Sequence, residues 1–157
     1  MKIEYRPIGV VHSPFQDKVG TPIQPSRAKG AKGSVEVFQE FSEGLSDLGG
    51  FSHIILLCHL HQSNGYKLKV IPFLDTELRG VFATRAPSRP NPIGLSVVRL
   101  LSIDGSTLFI EGVDLLDGTP LLDIKPYVGE FDDRTDVRFG WFETAPKRTD
   151  VADDRFE

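Results

Sequence analysis

The apolar positions of this chain come in short runs divided by glycine, proline and Asp-Gly pairs, with no long stripe of helical period. Runs of this kind predict β-strands. They fall at Ile3–Val11, Ser34–Phe38, Phe51–His61, Arg79–Thr84, Ile93–Ile103, Thr107–Val113 and Asp136–Phe142. The last alternates most cleanly, with Val137, Phe139 and Trp141 set between Arg138, Gly140 and Phe142. Asp104-Gly105 lies between two apolar runs and predicts a hairpin; Asp117-Gly118 predicts a second turn. A short helix is expected over Phe41–Leu48, with Ser42 as its N-cap. Many short strands and few helices predict a mainly β, single-domain, antiparallel barrel-like fold, closed or nearly so, rather than a Rossmann-type α/β sheet.

Two stretches have no period. Ser13–Lys32 holds Pro14, Gly20, Pro22, Pro25 and Gly30 and is long for a plain connector, so it is expected to be functional or mobile. Ala145–Glu157 is charged and is expected to fray. The organisation that follows is one domain over 1–144 and a flexible tail over 145–157.

Composition changes this picture in three respects. Cys58 is the single cysteine, so no disulfide framework exists within the chain, and a reducing cytoplasmic setting fits. No apolar run approaches the roughly 20 residues needed to span a bilayer, which predicts a soluble protein. The net charge of −4 argues against a general nucleic-acid coat but leaves room for a local basic patch.

The most unusual stretch is RAPSRPNPIG, residues 85–94. Pro87, Pro90 and Pro92 fix their own φ angles and push Ala86, Arg89 and Asn91 toward extended geometry. Three missing N–H donors keep the segment out of the middle of a sheet. Its carbonyls remain as acceptors, beside Arg85, Ser88, Arg89 and Asn91. Such a segment suits a ligand with an amino group at one end and an anion at the other, held at low ordering cost. A proline-rich edge also simply ends strands.

Other groups are less specific. His53, His59 and His61 share parity on one strand, but no carboxylate follows them there, and a metal site is not expected. His61-Gln62, at the strand's end, is better placed to touch a ligand. Asp123, Lys125 and Tyr127 of DIKPY fall in one row if extended and have the chemistry of a base, a charge stabiliser and an orienting hydroxyl. A surface ion pair beside a turn has the same pattern. There is no G-x-G-x-x-G, no G-x-x-x-x-G-K-[ST] and no G-x-S-x-G, which removes support for dinucleotide-binding, P-loop and serine-hydrolase chemistry.

IGVVHSPF (8–15), GFSHIILLCHLHQ (50–62), GVFATRAPSRPNPIGLS (80–96) and LLDGTPLLDIKPY (115–127) stand in this order. Together they resemble the TrmO family, also called the TsaA-like or YaeB-like domain, from about Ile8 to Tyr127. The resemblance implies a homodimeric, non-Rossmann β-barrel methyltransferase that uses S-adenosylmethionine, bound near the subunit interface. It implies N6-methylation of threonylcarbamoyladenosine next to the anticodon of tRNA. Carried onto this sequence, it implies cofactor contacts from Pro22, Ile23 and Gln24, from His61 and Gln62, from Arg85 and Leu95, and from Leu121, Leu122, Asp123 and Ile124. Ser88, Arg89 and Asn91 join them as neighbours in the stiff segment, and Asp123, Lys125 and Tyr127 are the catalytic candidates. Full-length bacterial members often carry a second, C-terminal domain thought to help grip tRNA, whereas this chain ends about thirty residues past DIKPY. Alternatives are methylation of another small molecule or RNA, and a non-catalytic S-adenosylmethionine-binding regulator.

Overall fold

The computed structural model describes residues 1–23, 30–145, 153 and 155. Six strands form a closed antiparallel barrel in the order β1 (Gly9–His12), β2 (Lys32–Val37), β7 (Thr107–Glu111), β6 (Ile93–Asp104), β3 (His53–His59) and β8 (Thr119–Pro126), with β8 pairing back onto β1. β4 (Lys69–Val70) and β5 (Arg79–Gly80) make a small separate sheet. Closure leaves no barrel strand with an unpaired edge.

Alternation decides which side chains fill the interior. Val11, Val35, Ile54, Leu56, Cys58, Val98, Leu108, Ile110 and Leu121 are all buried there, with Leu48, Val113 and Leu115 in the same cluster. Eight strands enclose a lumen only just wide enough for side chains. Six enclose less, so this interior has no room for a ligand and any site must lie outside it.

Between β3 and β6 the chain leaves the barrel. This excursion, residues 60–92, carries the small sheet and its own cluster of Val70, Val81 and Ala86. A β-bulge between Leu57 and Cys58 resets the register of β3 against β8. Cys58 then opposes Leu121 inside the barrel, while Leu57 opposes Asp123 outside it.

Several predicted elements take another form. The strand expected from Ile3 begins only at Gly9; Ile3 and Tyr5 are exposed, and Pro7 precedes the first ladder bond. Arg79–Thr84 is a strand for two residues and then a 3₁₀ turn at Val81–Ala83. Phe41–Leu48 forms parts of two 3₁₀ turns, Gln39–Leu45 and Leu48–Gly50. Ser42 does not cap a helix; its hydroxyl donates to the Gln39 carbonyl at 2.9 Å. Asp136–Phe142 is not a strand. Gly140 sits at φ +54°, the chain closes into a 3₁₀ turn at Gly140–Glu143, and the closed barrel offers no edge for it to join. β8 was hidden in the sequence by Pro120 and Pro126, which read against a strand. The two turns stand where Asp-Gly puts them: Gly105 has φ +59° and Gly118 φ +79°. Of the charged tail expected over Ala145–Glu157, only Ala145, Asp153 and Arg155 are among the described residues.

β1 and β2 approach so closely that a Cβ on Gly9 would collide with the Glu36 carbonyl. Gly9→Ala should therefore lose about 1–3 kcal/mol and lower the melting temperature by several degrees. Gly44→Ala, where a Cβ meets nothing within 4 Å, should melt like the parent. Thermal unfolding followed by circular dichroism compares the two.

Candidate functional site

A cleft of about 900 Å³ opens where the excursion, the loop after β1, the start of β6 and the connection from β7 to β8 meet. Its walls are mainly apolar, with a few polar groups converging on them, the usual character of a small-molecule site.

The stiff segment forms one wall, and its rigidity is internal. Arg89 Nη1 donates to the carbonyls of Thr84 at 3.0 Å and Ala86 at 3.3 Å. Ser63 Oγ donates to the Pro87 carbonyl, Ile93 N to Asn91 and Leu60 N to Pro92. Thr84 is buried; its hydroxyl donates to the Val81 carbonyl and accepts from Ala86 N. Four of the carbonyls that the sequence offered as ligand acceptors thus already accept from the protein. The prolines remove donors, and the rest of the excursion satisfies the acceptors.

Most of the expected cofactor contacts gather at this cleft. Pro22 and Ile23 border it from the loop after β1, and His61 and Gln62 from the end of β3. Arg85, Arg89, Asn91 and Leu95 border it from the stiff segment and β6. Gln24 lies outside the described residues. Ser88 is half-buried and is not in the cleft wall. His61 is held below the ordinary histidine pKa by partial burial and by His59, which keeps the ring neutral near pH 7.

The DIKPY stretch is elsewhere. Leu121 points into the barrel, and Leu122, Asp123 and Ile124 are not in the cleft wall. Asp123 Oδ2 pairs with Lys125 Nζ at 2.8 Å, and its Oδ1 accepts from Ile124 N at 2.9 Å. That pairing raises the Lys125 ammonium pKa. The Tyr127 hydroxyl donates to Asp133, which raises the phenol pKa, and its ring meets His53 edge-on at 6.4 Å.

The register relates this stretch to the cleft. Leu95, Leu57 and Asp123 form one row across β6, β3 and β8 on the outer face, and Val97, Ile55 and Lys125 form the next. Two strand spacings put Asp123 roughly 10 Å from Leu95 across the sheet. Leu95, at the cleft rim, is 51% exposed, and Ile93 beside it 44%. An apolar strip therefore runs from the cleft edge to the Asp123–Lys125 pair.

Two groups at the cleft were not foreseen. Asp114 borders it and accepts a hydrogen bond from Ser96 Oγ at 2.6 Å; Ser96 is buried on β6. Burial pushes the Asp114 carboxyl up to about 7, against the lowering effects of the Ser96 bond and the positive charge of Arg85. Cys58, behind it in the core, is pushed up to about 12 by burial and then by the charge of Asp114. The signal was present in VDLLDG: an acid between Val113 and Leu115, both of them core residues. The second group is Phe139, Trp141 and Phe142, which complete the wall from the C-terminal side.

Arg85 and half-buried Asp114 thus border one cleft, on mainly apolar walls supported by a proline-stiffened loop. Residues 10–133 match the family described as the tRNA-methyltransferase O N-terminal domain. A protein of Pyrococcus abyssi named "Probable S-adenosyl-L-methionine-binding protein" is 57% identical over 154 residues, 98% of this chain and 84% of that one. The mouse (Mus musculus) tRNA (adenine(37)-N6)-methyltransferase is 41% identical over 133 residues, which is 80% of this chain but 31% of that protein. The crystal structure of TrmO from Pseudomonas aeruginosa superposes with a TM-score of 0.75 at 43% identity, covering 89% of this chain and 62% of that one. The chain belongs to the tRNA-methyltransferase O N-terminal domain family.

Proposed function

We propose that this chain binds S-adenosyl-L-methionine in the cleft and methylates N6 of threonylcarbamoyladenosine next to the anticodon of tRNA. The supporting observation is that Arg85 and Asp114 both border one mainly apolar cleft of suitable volume. The name carried by the Pyrococcus abyssi relative supports the cofactor, and that carried by the mouse relative supports the acceptor. When bound, the cofactor supplies a methyl group already activated as a sulfonium.

The residues divide the remaining work. The Arg85 guanidinium matches a carboxylate in two-pronged geometry. Asp114, ionised, pairs with a cationic group. Leu60, Phe73 and Leu115 supply apolar wall and exclude water. Neutral His61 and Gln62 offer hydrogen bonds at the mouth. Displacement at an activated methyl group needs alignment above all, so a pre-stiffened cleft accounts for most of the expected rate. The acceptor nitrogen must lose a proton. In this reading Asp123 of a second copy takes it, Lys125 steadies the charge and Tyr127 orients the substrate. The apolar strip from Leu95 to Leu57 is the surface on which the two copies meet, and an isologous interface gives each cleft its partner's DIKPY.

The direct test uses labelled cofactor and tRNA with or without the threonylcarbamoyl group. Label should enter only the modified pool. Label in unmodified RNA or in a small molecule would change the acceptor. Tight cofactor binding with no transfer to any of these would favour a binding protein, the reading that the Pyrococcus abyssi name also allows.

Asp114 and Arg85 yield a pH-dependent expectation. The Asp114 pKa is about 7 in the fold against 3.8 ordinarily, so its contribution to stability is full below that ordinary value and is lost as pH rises through 7. The melting temperature of the cofactor-free protein should fall between pH 5 and 8, and less steeply in Asp114→Asn. Cofactor affinity should rise over the same range in the parent and stay flat in Asp114→Asn. Arg85→Ala should weaken cofactor binding by roughly ten- to a hundredfold, the loss of one charged hydrogen-bond partner. Calorimetric titration at several pH values reads all three.

If the site is shared between copies, Arg85→Ala and Asp123→Asn should each be nearly inactive alone. Mixed and refolded together, they should regain a substantial part of the parent rate through hybrid dimers. Additive inactivity, or a monomer in light scattering at concentrations of full activity, would exclude a shared site.

A further inference from the structure

The family match ends at residue 133, yet the chain after it returns to the cleft. Trp141 anchors the return. Its indole N–H donates to the Ala83 carbonyl at 2.7 Å, and the Arg79 guanidinium lies 5.7 Å from its ring centre. Arg79 is fixed in turn by buried Asp75, Nε to Oδ2 at 2.7 Å. Phe142 meets the Trp141 ring edge-on at 6.0 Å. Further on, Arg155 donates to the Pro72 carbonyl at 2.6 Å and stacks over Phe73 at 5.4 Å, and both of those residues border the cleft.

Phe139 is the exception on this well-supported wall. It borders the cleft, but 60% of it is exposed. Gly140, at φ +54°, turns the chain between Phe139 and the buttressed pair behind it. A large apolar ring held at a cleft mouth with most of its surface bare is costly to hydrate and poorly used by the fold. It suits a flat heteroaromatic group, which stacks on an aromatic face whatever its hydrogen-bonding pattern.

We infer that Phe139, backed by Trp141 and Phe142, is the stacking platform for the purine base that accepts the methyl group. The inference rests on the reading that the cleft holds the methyl donor. The acceptor's base, rather than the cofactor's adenine, is assigned to it because Phe139 stands at the open rim. The enclosed part of the cleft is lined by buried Ser96 and Thr119 and by Asp114. Exposed Arg138, next to Phe139 in the chain, and Lys18 on the cleft wall are cations of the kind that pair with phosphates. A base reaching this ring must leave its own stack, so the acceptor is an unpaired nucleotide in a loop or single strand.

The test uses the full chain and three anticodon-arm RNAs that differ at one position: threonylcarbamoyladenosine, adenosine, or an abasic sugar. The parent should bind at least one of the base-containing arms about 5- to 150-fold more tightly than the abasic arm, the range that one base–aromatic stack spans. Phe139→Leu, apolar but not aromatic, should bring that ratio close to one. Phe139→Tyr should keep it, and neither variant should change cofactor affinity measured by calorimetry. Three results would overturn the inference: a ratio near one in the parent, a ratio unchanged in Phe139→Leu, or a loss of cofactor affinity in Phe139→Leu, which would assign the ring to the cofactor's adenine. Failure of the parent to bind the cofactor at all would instead overturn the reading of the cleft, and calorimetry without RNA detects that separately.

Discussion

Everything in this structure depends on a six-stranded barrel closing over its own side chains. β8 pairs with β1, the alternating apolar residues meet inside, and neither a lumen nor an edge remains. Such a barrel is a support rather than a container. The cleft is built instead on connections: the longest departure from the barrel, residues 60–92, together with the loop after β1. Among the described residues, those connections have only the two-residue ladder of β4 and β5. They are stiffened by prolines and by side chains such as Arg89, Ser63 and Thr84 that satisfy the backbone acceptors.

Two acids, buried Asp75 and half-buried Asp114, show how differently the fold can treat a carboxylate. Asp75 accepts from Arg79 and from Thr76 N, and these bonds hold its carboxyl below the usual range. It is a settled ion pair that fastens the aromatic wall through Arg79 and Trp141. Asp114 has one hydroxyl partner and a more distant cation, and burial wins, raising the carboxyl toward neutrality. A group left in that state has electrostatic energy to recover when a positive ligand arrives, whereas Asp75 has already recovered its own.

The legible part of the sequence was the part governed by local rules. Short apolar runs punctuated by glycine and proline located five of the six barrel strands, and Asp-Gly located two turns. The stiffness of RAPSRPNPIG followed from proline geometry alone. The misreadings share one cause, a tertiary partner that decides between equal local patterns. Val137, Phe139 and Trp141 alternate as well as any strand, but the closed barrel has no edge open to them. Thr119–Pro126 contains two prolines and reads poorly as a strand, yet β1 and β3 both needed a neighbour there. Asp114 escaped notice because its raised pKa comes from burial in a setting beside Ser96, a residue brought there from β6 by the fold. The resemblance brought Pro22, Ile23, His61, Gln62, Arg85 and Leu95 to one place, and the cleft has all of them at its border.

DIKPY raises a different problem, because its geometry is clear and it stands away from the cleft of its own copy. The bulge at Leu57 and Cys58 is what turns Asp123 outward; without that shift the parity of β8 against β3 would be inverted there. Outward placement keeps the carboxylate out of the core and lays an acid–ammonium pair at the end of an apolar strip. Leu95 belongs to both the strip and the cleft, so a surface that covers one necessarily borders the other. A second copy seated there would reduce exposed apolar area, narrow the open side of the cleft and place polar chemistry at its edge in one step. None of these gains is available to a single barrel, whose own Asp123 stays roughly 10 Å away across two strand spacings. The same constraint that empties the barrel of function therefore also favours sharing the site between barrels.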